Sequence, residues 1–206
     1  TGGPTLQLRA QLLAEQPLTP QRQRCAQAIA AQSEKLQALM EALVKTSRLE
    51  TGILVLHPEP GPLSPMVEQA VAQYLSKAQA KQIRLSVGQM QGSALFDPKW
   101  TEEALCNLLD NAVKYTPAGG RVSVEIRPYE MFTAVCVQDT GPGIPEAEQA
   151  KIFGRFYRAP SAYQTEGVGI GLYLTRQIAA GQGGYIKVES SPGAGSIFSL
   201  YLPRES

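Results

Sequence analysis

The chain of 206 residues contains a single histidine, His57, and only three cysteines, Cys25, Cys106 and Cys136. A structural zinc site needs four closely spaced His or Cys ligands, and the sequence has no CxxC spacing. The odd number and wide separation of the cysteines also argue against a disulfide framework. We therefore exclude a zinc- or disulfide-stapled domain and expect a cytoplasmic protein.

Neither sign of charge is in excess, because the chain has 19 basic and 18 acidic residues and a net charge of +1. Such a balance predicts no nucleic-acid partner and no general attraction to an anionic membrane. Long apolar runs and a signal peptide are missing as well, so any membrane anchor of the native protein would lie outside this chain. A hydrophobic content of 43% is enough for a substantial core.

Four prolines crowd into the stretch HPEPGPLSP. Proline clusters interrupt regular structure, so residues 57–65 are predicted to be a linker. The prediction divides the chain into a first domain at 1–56 and a second domain at 66–206.

The first domain is predicted to be a helical hairpin. Thr19 precedes a long helix that starts at Pro20 and ends near Glu50, and a shorter apolar helix covers Leu6 to Leu13. The long helix carries a narrow apolar seam, formed by Ile29, Leu36, Met40 and Leu43. Two helices bury such a seam poorly, which predicts a homodimer with a four-helix bundle. Packing of the seam on the chain's own second domain is the alternative.

In the second domain, segments whose apolar residues recur at helical spacing follow segments in which apolar and polar residues alternate. Helices are predicted at 64–80, 98–114 and 170–180, and strands at 83–87, 94–97, 121–128, 131–139, 185–189 and 196–202. Runs of this kind predict an α/β sandwich with a mixed, mostly antiparallel sheet, so that the whole chain belongs to the α+β class.

One predicted helix has a polar stripe opposite its leucines. The stripe consists of Glu103, Asn107, Asn111 and Lys114, at spacings of four, four and three. An amide oxygen can coordinate Mg²⁺ while leaving positions for phosphate oxygens, and a nearby lysine can meet phosphate charge. A plain solvated face is the alternative interpretation.

Two glycine-rich stretches come later, DTGPGI at 139–144 and GVGIGL at 167–172. Asp139 follows an apolar strand, and the glycines after it allow close backbone approach, which suits recognition of an adenine amino group. A tight turn would favour the same residues. GVGIGL opens a helix, where backbone amides face phosphate well, although neither a dinucleotide fingerprint nor a P-loop is present.

Between the glycine stretches lies KIFGRFYRAPSAYQTEG, a segment without clear periodicity. Segments of this kind often act as lids over a ligand. We expect Phe153 and Phe156 to anchor it, and Arg155 either to reach a γ-phosphate or to be an ordinary packed surface arginine.

Taken in order, NLLDNAVKYTP, DTGPGI, IFGRFYRA and GVGIGL resemble the N box, first glycine box, F box and second glycine box of sensor histidine kinases. The resemblance covers residues 63–203 as an ATP-binding catalytic domain of the GHKL type. It extends back to SEKLQALMEALVKTSRLETG, which resembles the second helix of the dimerisation and histidine-phosphotransfer stem.

The resemblance implies a role for each matching residue. Asn111 would ligate Mg²⁺, Asp139 would bind the adenine amino group, and Tyr115 would lie beside the nucleotide. The implied catalytic residues are Asn107, Lys114 and Arg155, which would hold the phosphates of ATP. The remaining implied binding residues lie in the two glycine boxes: Gly141, Gly143, Ile144, Gly167, Gly169, Ile170, Gly171 and Leu172.

In hydrolytic relatives such as DNA gyrase, the position that matches Asn107 is a glutamate that activates water. An amide cannot act as a general base, so the resemblance implies transfer to a protein nucleophile. In the family this acceptor is a histidine, which passes the phosphoryl group to the receiver domain of a response regulator.

The acceptor motif H-E-x-x-x-P is missing from TGGPTLQLRAQLL, and His57 is a poor candidate. Either the histidine lies upstream of Thr1 or the protein is a degenerate member. We therefore expect the chain alone to bind ATP without phosphorylating itself. The other functional alternatives are a non-catalytic nucleotide-binding dimerisation module and a GHKL ATPase.

Overall fold

A computed structural model of the chain describes residues 19–51, 55–159 and 169–205. The predicted helix Leu6 to Leu13 and the predicted binding residue Gly167 lie outside these residues. The chain divides into two compact units, residues 1–44 and residues 45–206. None of the described helices combines the length and apolar character that a bilayer crossing demands.

The long helix α1 extends over Pro20–Glu50, as the sequence predicts. Its apolar seam is open: Ile29, Leu36 and Met40 are each at least 60% exposed and Leu43 is 40% exposed. No described residue of the first unit therefore buries the seam.

The second unit alternates helices with strands along the chain. Its helices are α2 (Ser64–Ala80), α3 (Pro98–Tyr115), a short α4 (Glu146–Gln149) and α5 (Gly171–Gly181), with a 3₁₀ turn at Lys151–Phe153. Its strands are β1 (Glu59–Pro62), β2 (Arg84–Val87), β3 (Ser93–Phe96), β4 (Arg121–Pro128), β5 (Phe132–Asp139), β6 (Tyr185–Ser191) and β7 (Gly195–Pro203).

Within the described residues, the main sheet has five strands in the order β2-β4-β5-β7-β6. β2 runs parallel to β4, and every other neighbouring pair is antiparallel. The predicted α/β sandwich with a mixed, mostly antiparallel sheet is confirmed.

The structure adds one strand inside the predicted linker. β1 pairs with β3 in a separate two-stranded antiparallel ladder, with Glu59 opposite Phe96. Prolines are compatible with such a strand when their missing N–H groups face away from the partner. Part of the proline-rich stretch is therefore an ordered strand of the second unit.

Helix α3 lies at the centre of the helical layer, between α2 and α5. Its leucines Leu105, Leu108 and Leu109 are completely buried. Asp97 was predicted to end a strand, but it instead caps α3 by accepting a hydrogen bond from the Trp100 N–H at 3.2 Å. The Asp97 N–H donates to the Gln182 side chain, which lies just after α5.

Truncation of Leu105 tests the central place of α3. Leu105→Ala would leave a cavity among fully buried side chains, and we expect it to lower the free energy of unfolding by about 2 to 5 kcal/mol. Leu75→Ala is the matched control, because Leu75 is 50% exposed on α2. Urea unfolding measures both, and equal effects would contradict the assignment of the core.

Candidate functional site

The polar stripe of α3 lies on the face opposite the leucines. Glu103, Asn107, Asn111 and Lys114 are all partly buried. The Glu103 carboxylate accepts a hydrogen bond from Lys45 Nζ at 2.7 Å. A fully solvated face would leave these side chains exposed, so their burial favours a cleft.

Asn107 has an unusual environment. Its Nδ2 is buried and has no hydrogen-bond partner among the residues that the structure describes. Leaving a buried donor without a partner costs about 1 to 3 kcal/mol. A Cβ atom on Gly171 would lie only 3.3 Å from Asn107 Oδ1. The start of α5 and the amide stripe are therefore in close contact.

Asp139, at the end of β5, is only 6% exposed. Burial raises the pKa of its carboxyl group, and backbone hydrogen bonds from Gly141 and Ser196 offset part of that effect. The Gly141 N–H donates to Asp139 Oδ1 at 2.7 Å. A Cβ on Gly141 would also lie 3.2 Å from the Tyr115 carbonyl oxygen, so the loop passes beside the end of α3.

The rest of the first glycine stretch is held by β6. Gly143 has φ +73°, and a Cβ there would collide with the Ser191 backbone oxygen. The Ile144 N–H donates to Ser190 Oγ at 2.8 Å, and Gln149 Nε2 donates to the carbonyls of Ile144 and Ser190. Ser190 and Gln149 were not singled out from the sequence, because no local spacing marks them.

The described part of the second glycine stretch forms the start of α5. Gly169 has φ +76°, and a Cβ there would lie 2.6 Å from the Tyr157 carbonyl oxygen. Ile170 is buried, Gly171 begins the helix, and Leu172 packs against the core. The positive end of α5 consequently lies close to Asn107.

The last turn of α3 carries Lys114 and Tyr115. Lys114 Nζ lies 5.0 Å from the centroid of the Tyr115 ring. Burial raises the pKa of the Tyr115 hydroxyl, so this side chain stays neutral at physiological pH.

Arg155 lies in a cluster that sequence reasoning missed. Its guanidinium pairs with the Glu50 carboxylate and lies 5.1 Å from the ring centroid of Tyr173. The Tyr173 hydroxyl also donates to Glu50, and the hydrogen bonds from Tyr173 and Arg155 lower the pKa of Glu50. The arginine is thus linked to the end of α1 and to α5.

The two phenylalanines of the predicted lid segment differ in burial. Phe153 is buried and packs edge-on against Phe198, as an anchor should. Phe156 is 51% exposed and has φ +58°, so its predicted anchoring role is wrong. The turn at 154–156 points this ring outward, whereas apolar character alone suggested burial.

Comparison with known proteins agrees with this arrangement. The family model described as histidine kinase-, DNA gyrase B- and HSP90-like ATPase matches residues 96–206. The chain belongs to this family. Within it, the chain carries the catalytic domain of a sensor histidine kinase.

Two curated relatives and one solved structure illustrate the similarity. The circadian input-output histidine kinase CikA of Synechococcus elongatus is 33% identical over 196 residues, which is 92% of this chain and 26% of CikA. The adaptive-response sensory kinase SasA of a Synechococcus species is 36% identical over 175 residues, which is 84% of this chain and 46% of SasA. Full-length ShkA, solved in complex with AMPPNP, has a TM-score of 0.78 and 26% identity and covers 95% of this chain and 41% of ShkA.

The raised pKa of Asp139 gives a pH prediction. The folded protein should bind a proton at this carboxyl more readily than the unfolded chain, whose ordinary value is 3.8. As pH rises from below that value toward neutrality, wild type should lose stability relative to Asp139→Asn, in which the site cannot titrate. Urea unfolding of both proteins from about pH 3 to about pH 7 measures the trend. A difference that is constant or has the opposite slope would refute the assignment.

Proposed function

We propose that this chain is the catalytic core of a two-component sensor histidine kinase that binds Mg-ATP. The intact protein would transfer the γ-phosphoryl group to a histidine and then to a response regulator. The observation that carries the proposal is the buried, unpartnered amide of Asn107 beside Gly171. This donor suits a phosphate oxygen, and an amide at this position cannot activate water. The chain spans about a quarter to a half of the curated relatives it matches, so this activity is a proposal.

The adenine ring would be recognised at the end of β5. A carboxylate has acceptor capacity beyond the backbone hydrogen bonds that Asp139 accepts from Gly141 and Ser196, and the exocyclic amino group of adenine can use it. Gly141, Gly143 and Ile144 would form the loop around the base, with Tyr115 beside the nucleotide. The fixed hydrogen bonds of Ile144 support a preorganised loop.

The magnesium ion would be held mainly through the nucleotide. Among the described residues, no group of three or more His, Cys, Asp or Glu side chains could hold a metal ion. Mg²⁺ commonly takes one or two protein oxygens and completes its shell with phosphates and water. Asn111, one turn beyond Asn107, would supply the protein oxygen.

Phosphate binding would combine three elements of the chain. Asn107 and Lys114 would hold the phosphates from α3, and the glycine-rich start of α5 would offer its backbone and dipole. Gly169 and Gly171 lie at that start, with Ile170 and Leu172 supporting it, and Gly167 would bind phosphate as the family resemblance implies. Arg155 would complete the charge neutralisation from the lid segment. These residues would act by positioning and electrostatics, since little covalent chemistry falls to the protein in phosphoryl transfer.

The open seam of α1 supports a homodimer. Its four apolar side chains are 40% or more exposed, and a second copy would cover them in a four-helix bundle. We propose that residues 1–56 form this stem, that 57–65 connect it, and that 66–206 form the catalytic domain of a cytoplasmic enzyme. The receiver domain of a response regulator would be the second protein partner.

Removal of the Asn111 amide should weaken Mg-ATP binding. We expect Asn111→Ala to reduce affinity for Mg-ATP by about tenfold or more, because a ligand of a divalent ion is lost. Calorimetric titrations with ATP, in the presence of Mg²⁺ and in the presence of EDTA, measure the loss of affinity. The difference between Asn111→Ala and wild type should be smaller when EDTA removes the metal. Asp110→Asn is the control, because Asp110 pairs with Lys77 on the neighbouring helix. Unchanged Mg-ATP affinity of Asn111→Ala would refute the metal role.

ATP labelled on its γ-phosphate distinguishes the functional alternatives. His57 is the sole histidine and lies in the proline-rich stretch, so we expect bound ATP but no acid-labile label on this chain. Acid-labile label would contradict that expectation. Release of free phosphate over many turnovers that Asn107→Ala abolishes would indicate an ATPase instead of a kinase.

A further inference from the structure

We infer that Lys81 is a positioning residue for phosphate binding, because it fixes the last turn of α3. Lys81 follows α2 and lies outside every motif of the nucleotide site. The inference rests on the proposed function, since the turn that Lys81 holds carries Lys114 and Tyr115.

The contacts of Lys81 are specific. Its Nζ donates to the carbonyl oxygen of Val113 at 2.9 Å and to that of Lys114 at 2.6 Å. The last four carbonyls of an α-helix have no partner within the helix, and they form its negative end. Lys81 therefore satisfies two of these carbonyls and places a positive charge against that end of α3.

The backbone around Lys81 is fixed to the same region. The Ile83 N–H donates to the Ala78 carbonyl at 2.9 Å, and the Ile83 side chain is buried. Gln82 has φ +58°, a left-handed conformation that a non-glycine residue seldom adopts. Its carbonyl accepts a hydrogen bond from the Gly119 N–H at 3.0 Å, in the loop that follows α3. The turn after α2 thus holds the end of α3 through both a side chain and the main chain.

The charge of Lys81 is held at a cost. Burial and the positive charge of Lys77 lower the pKa of its ammonium group. The two carbonyl oxygens compensate by accepting charge-assisted hydrogen bonds.

Loss of the ammonium group would act on the phosphate end of the nucleotide. The negative end of α3 would then lie uncompensated next to Lys114 and would oppose a phosphate there. The base end of the nucleotide depends instead on Asp139, which Lys81 does not contact. Loss of Lys81 should therefore affect ATP more than adenosine.

The test uses the full chain and two probes, Mg-ATP and adenosine, with calorimetry. We expect Lys81→Met to bind Mg-ATP about tenfold more weakly and adenosine within about twofold of wild type. Lys81→Arg keeps the charge and the donors and should restore most of the Mg-ATP affinity. Lys77→Met is the matched control, because Lys77 lies one turn earlier on α2 and pairs with Asp110 at the surface. It should bind both probes as wild type does.

Three outcomes would overturn the inference. Wild-type affinity of Lys81→Met for Mg-ATP would show that the contact does not position the site. An equal loss for both probes that Lys81→Arg does not reverse would show a merely structural role. Failure of the wild-type protein to bind either Mg-ATP or adenosine would overturn the proposed function, and this inference with it. If Lys81→Met does not fold, Lys81→Gln replaces it, and the same selective loss of Mg-ATP binding is expected.

Discussion

The burial of one leucine face on α3 determines where every other part of the site lies. Leu105, Leu108 and Leu109 are completely inaccessible to solvent. Because side chains on a helix repeat every 3.6 residues, burial of these leucines turns Asn107 and Asn111 to the opposite side. The neighbouring helices α2 and α5 pack along α3, and the start of α5 contacts Asn107. The apolar core and the polar site are consequently two faces of a single element.

The site itself depends on glycines, which have no side chain, and on polar groups that are buried in the fold without full compensation for the loss of water. Glycines at 141 and 143 permit contacts that a Cβ atom would obstruct, and a Cβ at 171 would press closely on Asn107. The unpartnered amide of Asn107 and the buried carboxyl group of Asp139 both oppose folding. Proteins usually satisfy buried polar groups, and exceptions concentrate at functional sites. The same two residues also match the family's motifs, so energetics and sequence pattern identify one location.

Local patterns predicted most of the fold. The bounds of α1 and β4 and the hairpin of β4 with β5 are confirmed, because helical seams and strand alternation are local properties. β1 was not predicted, because two of its four residues are prolines and the strand shows no alternation of buried and exposed positions. The Arg155 cluster was not predicted for another reason. Glu50 is 105 positions from Arg155, and spacing within a motif carries no information about such a partner. The roles assigned to individual site residues come from the family resemblance, and they stay predictions.

The hydrogen bond between Asp97 and Gln182 also affects the order in which the chain folds during its synthesis. These residues are 85 positions apart, whereas Lys81 lies 32 positions from Val113 at the other end of α3. During synthesis the C-terminal end of α3 can therefore be fixed well before its N-terminal end. Contacts of long sequence separation form late and slow folding. Until Gln182 and α5 have left the ribosome, α3 lacks the neighbour that contacts its amide face, so a nascent chain acquires its nucleotide site only after α5 has emerged.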